Sequence, residues 1–223
     1  MVKGMIFDFN GTMVFDAHLH ERAWVDMIKK HNHQVSDQEV IDYIHGRTND
    51  KTIRHFIGDV SEEELIELSD EKEREYHRLV REEQVAYVSG TEELLDELVK
   101  RNIPFTIATA SPKINIDFYF DYFNLGRWFQ YEDIIYDDGT FPGKPEPIIY
   151  QKAAASLGLA PKDCVVFEDA VAGIQSANRA DIGKVVVMVH SDKQKDFFEN
   201  SDLSIDEIIS DFWEILAQLN EKN

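Results

Sequence analysis

Residues 5–12 read Met5-Ile6-Phe7-Asp8-Phe9-Asn10-Gly11-Thr12. Three apolar residues run without interruption into an aspartate, and the glycine beyond it marks a turn. An alternating pattern would predict a strand with one wet face. A short continuous apolar run bounded by turn signals instead predicts a strand covered on both faces, as in parallel sheets flanked by helices. Three further runs have this character: Phe105-Thr106-Ile107-Ala108, Val165-Val166-Phe167 and Val185-Val186-Val187. Helical patterns lie over Glu92 to Lys100, Pro147 to Leu157 and Ala170 to Ala180. Helix alternating with strand predicts a doubly wound parallel α/β layer joined by right-handed crossovers.

The first two of these strands are far apart. From about Ala17 to about Gln84 the pattern is almost wholly helical, and Ser36…Glu39 and Ser61…Glu64 have the spacing of capping boxes, which marks two helix starts. The chain is therefore expected to carry a helical cap, residues 16–87, inserted into an α/β core made of residues 1–15 and 88–223. The charged run from Glu62 to Glu83 reads as a solvated helix face. Trp24 and the cluster Phe118, Phe120 and Phe123 read as core.

Composition narrows the function. Forty-three acidic against 23 basic residues give a formal charge of −20 over 223 residues, a field that repels a phosphate backbone and argues against nucleic-acid binding. A hydrophobic content of 43% supports a packed core rather than global disorder. The longest apolar run, near Val185 to Val189, falls far short of the ~20 residues of a membrane span. Cys164 is the single cysteine and reads as a buried structural thiol. The histidines show no spacing that pairs with cysteine as a zinc site does. A cytoplasmic, monomeric protein with no membrane partner is the expectation.

In open α/β sheets, ligands bind beyond the carboxyl ends of the strands. The residues found there are Asp8-Phe9-Asn10-Gly11-Thr12 after the first strand, Thr109-Ala110-Ser111 after the second and Glu168-Asp169 after another, with Lys144 in Pro142-Gly143-Lys144-Pro145 preceding the helix that leads to it. Asp8 and Asp169 supply hard oxygen ligands suited to Mg²⁺. Thr109 can donate to a phosphoryl oxygen and Lys144 can neutralise charge developing on it. An aspartate so placed can attack phosphorus and form an aspartyl-phosphate.

Taken together, Asp8-Phe9-Asn10-Gly11-Thr12, Thr109, Lys144-Pro145 and Glu168-Asp169-Ala170-Val171-Ala172-Gly173 resemble the four signature motifs of the haloacid dehalogenase (HAD) superfamily, most closely its β-phosphoglucomutase-like and sugar-phosphate phosphatase branch. The resemblance implies that Asp8 is the nucleophile, that Thr109 and Lys144 hold the phosphoryl oxygens, and that Asp8, Asp169, Glu168 and the Asn10 backbone carbonyl hold Mg²⁺. It further implies substrate contacts from Ser111, from His20 and from Arg47 in the Gly46-Arg47-Thr48-Asn49 turn. The expected activity is Mg²⁺-dependent hydrolysis of a small phosphorylated metabolite such as a sugar phosphate, with β-phosphoglucomutase chemistry and a catalytically weak phospho-ligand-binding protein as alternatives. A two-component receiver domain also uses Asp, Thr and Lys around Mg²⁺, but it lacks a large helical cap.

One position departs from the family pattern. The superfamily's phosphatases carry an aspartate two residues after the nucleophile as general acid and base, and this chain has Asn10. An amide neither protonates a leaving alkoxide nor takes a proton from water at neutral pH. Asp16 and His20 are candidate substitutes. The dipeptide Asn10-Gly11 is also of a kind prone to deamidation, which would supply a carboxylate with age.

Overall fold

A computed structural model describes residues 3–44 and 49–221, with Ile41 described by its backbone alone. In chain order, β1 (Gly4–Phe7) is followed by the helices α1 (Ala17–Lys30), α2 (Asn49–Phe56) and α3 (Glu62–Glu83). Helices and strands then alternate: α4 (Thr91–Arg101), β2 (Phe105–Pro112), α5 (Lys113–Tyr122), β3 (Ile135–Asp137), α6 (Ile148–Ser156), β4 (Cys164–Glu168), α7 (Val171–Arg179), β5 (Lys184–Met188), α8 (Asp192–Glu199), β6 (Glu207–Ile209) and α9 (Trp213–Glu221). The molecule divides into two compact units, Met1–Phe15 with Ala86–Asn223, and Asp16–Val85.

The first unit is a six-stranded sheet in the order β3-β2-β1-β4-β5-β6, parallel at every pairing. The sheet is the doubly wound α/β layer that the apolar runs predict. β3 and β6 are additions to the four strands read from the sequence. β2 also runs on to Pro112, so Thr109 and Ser111 lie within it rather than beyond it, and its register with β3 is irregular between Ala108 and Pro112. The chain fills the sheet outward from β1 in one direction and from β4 in the other, so β1 and β4 flank the switch point where ligands bind in such sheets.

Burial explains why these strands form. All four residues of β1 and all five of β4 are buried. Ile6, Ala108, Cys164 and Val166 share one core cluster with Tyr150 and Ala153 of α6 and with Ile174 and Ala177 of α7. Across β1 and β4, Phe7 and Phe167 stack at 4.8 Å, with the Phe212 ring edge-on to both. The apolar surroundings push the Cys164 thiol up to about 11, as expected of an inert structural cysteine.

The second unit is helical. Both predicted capping boxes form: the Ser36 and Ser61 side chains accept from the amides of Glu39 and Glu64, whose carboxylates reach back to the cap amides. Trp24, Met27 and Ile28 of α1 pack with Ile53 and Phe56 of α2 in a separate core. The α3 helix is not solvated throughout, contrary to the reading of its charged run. Lys72, Glu73, Glu75 and His77 are buried with Tyr76, Leu79 and Val80; Lys72 pairs with Glu73, and Arg78 donates to Glu75.

Candidate active site

The sheet brings the chemistry-bearing residues of three motifs to one rim of the first unit. Asp8 directly follows β1 and Glu168 closes β4, each almost fully buried. Lys144 Nζ donates to Asp8 Oδ1 at 2.5 Å and to Glu168 Oε1 at 2.6 Å. Burial by itself would lower the Lys144 pKa, but the two carboxylates outweigh it and hold the ammonium above the ordinary lysine range. Lys144 is therefore a fixed positive charge beside the Asp8 carboxylate.

Glu168 is the anchor of this arrangement. Its Oε1 also accepts from the Tyr150 hydroxyl at 2.7 Å, and its Oε2 accepts from the amides of Asp169 and Ala170 at 2.9 and 3.0 Å. Burial, reinforced by the negative charges of Glu168 and Asp8, raises the Tyr150 pKa well above the phenol range and keeps it a donor. Tyr150 escaped sequence reasoning because it lies on the apolar face of α6 and looks like core.

The glycine of the Glu168-to-Gly173 motif has a steric reason. A Cβ built on Gly173 would sit 1.7 Å from Glu168 Oε1. Gly173→Ala must therefore displace the carboxylate that orients Lys144. We expect a loss of phosphate release of about 10–100-fold, the usual range for a group supporting a site residue, with the fold retained by circular dichroism. Activity equal to wild type would show that the Glu168 position is immaterial.

One carboxylate oxygen each from Asp8, Glu168 and Asp169 lie within 4.8 Å of one another. The set is all hard oxygen, the donor chemistry that suits Mg²⁺ and not the softer metals. Gly11, at φ +77°, brings the loop after β1 against Asp169, where a Cβ would fall 2.0 Å from Oδ2. The residues present thus fit the metal that the resemblance implies.

Asn10 is held by its side chain. Its Oδ1 accepts from the Ser111 hydroxyl at 2.7 Å, and its Nδ2 donates to the Tyr119 hydroxyl at 2.8 Å. Ser111 and Tyr119 hydroxyls are themselves 3.2 Å apart, and the Tyr119 ring stacks on Phe9 at 4.1 Å. Tyr119 gave no sequence signal, being one aromatic among several in α5. The expectation of ready deamidation is not supported by the geometry. The Gly11 amide, which would attack Asn10 Cγ, donates to the Val14 carbonyl at 2.8 Å, and the side chain is restrained at both ends. Thr109, also buried, accepts from the Ser111 amide at 3.2 Å. Among the described residues Thr12 Oγ1 is a buried side-chain polar atom without a hydrogen-bond partner, a cost of about 1–3 kcal/mol carried within the loop after β1.

The second unit holds another polar group around His20. Lys72 Nζ donates to His20 Nδ1 at 2.9 Å and to both Glu73 oxygens at 3.0 and 3.1 Å. The His20 ring stacks on Tyr76, whose hydroxyl donates to the fully buried Asp16. Asp16 is thereby engaged inside the unit, which weakens its candidacy as a substitute acid. Lys72 is a buried cation that the sequence hid among glutamates. Arg47 lies outside the described residues.

Desolvation, aided by the charges of Lys72 and His77, lowers the His20 pKa well below 6.5. As pH falls from about 6.5, the unfolded chain takes up a proton at this position and the folded chain does not, so stability declines by at most ~1.4 kcal/mol per pH unit until the folded pKa is reached. Thermal midpoints between pH 7.5 and 5.5 should therefore drop more steeply for wild type than for His20→Gln; parallel curves would contradict the assignment.

A family model described as haloacid dehalogenase-like hydrolase matches residues 2–181. Hexitol phosphatase A of Escherichia coli (strain K12) is 30% identical over 190 residues, covering 85% of each chain. Beta-phosphoglucomutase of Bacillus subtilis (strain 168) is 28% identical over 192 residues and 80% of each chain. Among solved structures, a HAD hydrolase, family IA, variant 3, from Entamoeba histolytica HM-1:IMSS matches with a TM-score of 0.85 at 33% identity, covering 96% of this chain and 95% of that one.

Proposed function

The chain belongs to the haloacid dehalogenase-like hydrolase family, and we propose that it is a phosphohydrolase that releases phosphate from a small phosphorylated carbohydrate or polyol through an aspartyl-phosphate on Asp8. The observation that carries this reading is the convergence of Asp8, Lys144, Glu168 and Asp169 at the β1–β4 switch point.

Asp8 Oδ attacks phosphorus, the bond to the ester oxygen breaks, and the departing alkoxide takes a proton from solvent because Asn10 has none to give. Lys144 and the hydroxyl of Thr109 would bind the phosphoryl oxygens and hold charge that builds on them in the transition state. Mg²⁺, held by Asp8, Asp169 and the Asn10 carbonyl with Glu168 beside them, would neutralise phosphoryl charge and so permit approach of the carboxylate. In the second step water attacks phosphorus, its bond to Asp8 breaks so that Asp8 departs as carboxylate, and the water's proton passes to solvent. No carboxylate stands at the Asn10 position to take the proton from that water, so this step too lacks general acid–base assistance.

Hydrolysis is favoured over phosphoglucomutase chemistry by a feature of the second unit. A mutase grips a sugar bisphosphate and needs an uncompensated cation for the second phosphate, for which Arg47 and Lys72 are the candidates of this unit. The Lys72 ammonium is already paired with both oxygens of Glu73. His20, next to Lys72, and Arg47 remain the proposed contacts to the sugar or polyol portion. Under an alternative reading that rests on Asn10 itself, the chain binds a phosphorylated ligand and turns it over poorly.

Phosphate release from hexitol phosphates, hexose phosphates and acetyl phosphate, with and without Mg²⁺, tests the proposal. Turnover above an Asp8→Asn blank supports it. Mg²⁺-dependent binding of these compounds without turnover would favour the ligand-binding alternative.

A further inference from the structure

The nucleophile loop is expensive to hold in place. It turns through Gly11 at φ +77° and buries the Thr12 hydroxyl unpaired. Much of its restraint is internal: Gly11 donates to Val14, while Thr12, Met13 and Val14 all donate to the Phe9 carbonyl. The Gly11 carbonyl is fastened from elsewhere. His190 Nε2 donates to it at 2.6 Å, since a carbonyl oxygen can only accept.

His190 lies just past β5, and β4 stands between β5 and β1 in the sheet. The imidazole therefore joins the β5 end of the rim to the loop after β1, across the strand that ends at Glu168. Its position is itself determined. The ring packs on Phe15 at 4.2 Å, and the His190 amide donates to the Gln194 side chain in the first turn of α8. A glycine at positive φ has little intrinsic reason to keep one conformation. The imidazole supplies the restraint that a Cβ, excluded here by Asp169, cannot.

We infer that His190 is a positioning residue for phosphoryl transfer, clamping the Gly11 turn so that Asp8, the Asn10 carbonyl and Asp169 keep the arrangement that takes metal and phosphate. The inference rests on the function proposed above, but its structural half can be measured without any substrate.

His190→Ala removes donor and ring together, whereas His190→Gln removes the ring and places an amide donor near the former Nε2. Three readouts separate the possibilities: Mg²⁺ binding by calorimetry, kcat and KM for acetyl phosphate, and hydrogen exchange of the Thr12 to Val14 amides. His190→Ala should weaken Mg²⁺ and lower kcat by about 10–100-fold, with KM little changed and exchange accelerated. His190→Gln should restore all of these to within a few-fold of wild type. Equal impairment of both variants would mean that ring packing on Phe15 is what matters, and would overturn the inference. Unchanged exchange in His190→Ala would overturn it as well. If wild type and Asn10→Asp neither bind Mg²⁺ nor release phosphate, the proposed function fails, and the exchange data alone then decide whether His190 clamps the loop.

Discussion

Asp8→Asn should reduce phosphate release to the level of buffer, a loss of at least ~10³-fold for every substrate tested. The substitution preserves shape and removes only the nucleophilic charge. Among the described residues no neighbouring carboxylate is placed to act instead. Glu168 has both oxygens occupied by Lys144, Tyr150 and two amides, and Asp169 is packed against the Gly11 turn. The variant also leaves Lys144 with Glu168 as its remaining carboxylate partner among the contacts described, so part of the buried ion-pair compensation goes. Thermal midpoints should be measured alongside activity to separate chemistry from folding. Because the natural chain is expected to turn over slowly, the comparison is best made twice, in wild type and in the Asn10→Asp background, where the measurable range is wider. Residual activity above a few per cent in the second background would exclude Asp8 as nucleophile.

The fold was legible where burial imposes a pattern. β1, β4 and β5 are covered on both faces, and their unbroken apolar runs are that condition written in sequence. β3 and β6 escaped because each is three residues long, too short for any period to register. The candidate site was legible in the residues that strand ends deliver, Asp8, Glu168 and Asp169, and in Lys144 of the loop before α6. The groups that orient them were not. Tyr150 and Tyr119 show only a hydrophobic ring to a sequence pattern, and the use of their hydroxyls depends on what the tertiary fold places opposite. Lys72 shows the converse failure: its neighbours Glu71 and Glu73 make it resemble a surface charge, though the helix turns it inward onto His20. His190 reaches Gly11 across 179 positions of chain, a contact that only the strand order creates.

Asn10→Asp should raise turnover, and the size of the gain across substrates identifies the step that limits the natural chain. General acid–base assistance is worth ~10²–10⁴-fold. The surroundings are ready for a carboxylate. The Ser111 hydroxyl already donates to Oδ1, and the Tyr119 hydroxyl, which accepts from Nδ2, needs only to rotate its proton to donate to the second oxygen. Two donors favour the ionised form, so the introduced group should serve better as base toward the attacking water than as acid toward the leaving alkoxide. Base assistance acts after the leaving group has gone and accelerates all substrates equally. Acid assistance benefits sugar phosphates, whose alkoxides leave poorly, and scarcely affects acetyl phosphate, whose acetate needs no proton. Equal gains would locate the slow step in discharge of the aspartyl-phosphate, and rapid quench of the natural chain should then show a burst of one equivalent of released alcohol. A gain confined to sugar phosphates would locate it in the first step. No gain at all, with wild type active, would mean that another group already moves the proton, and His20 then becomes the residue to replace. An active Asn10→Asp beside an inert wild type would make the natural chain a binder of phosphorylated ligand, its machinery complete except for one carboxylate.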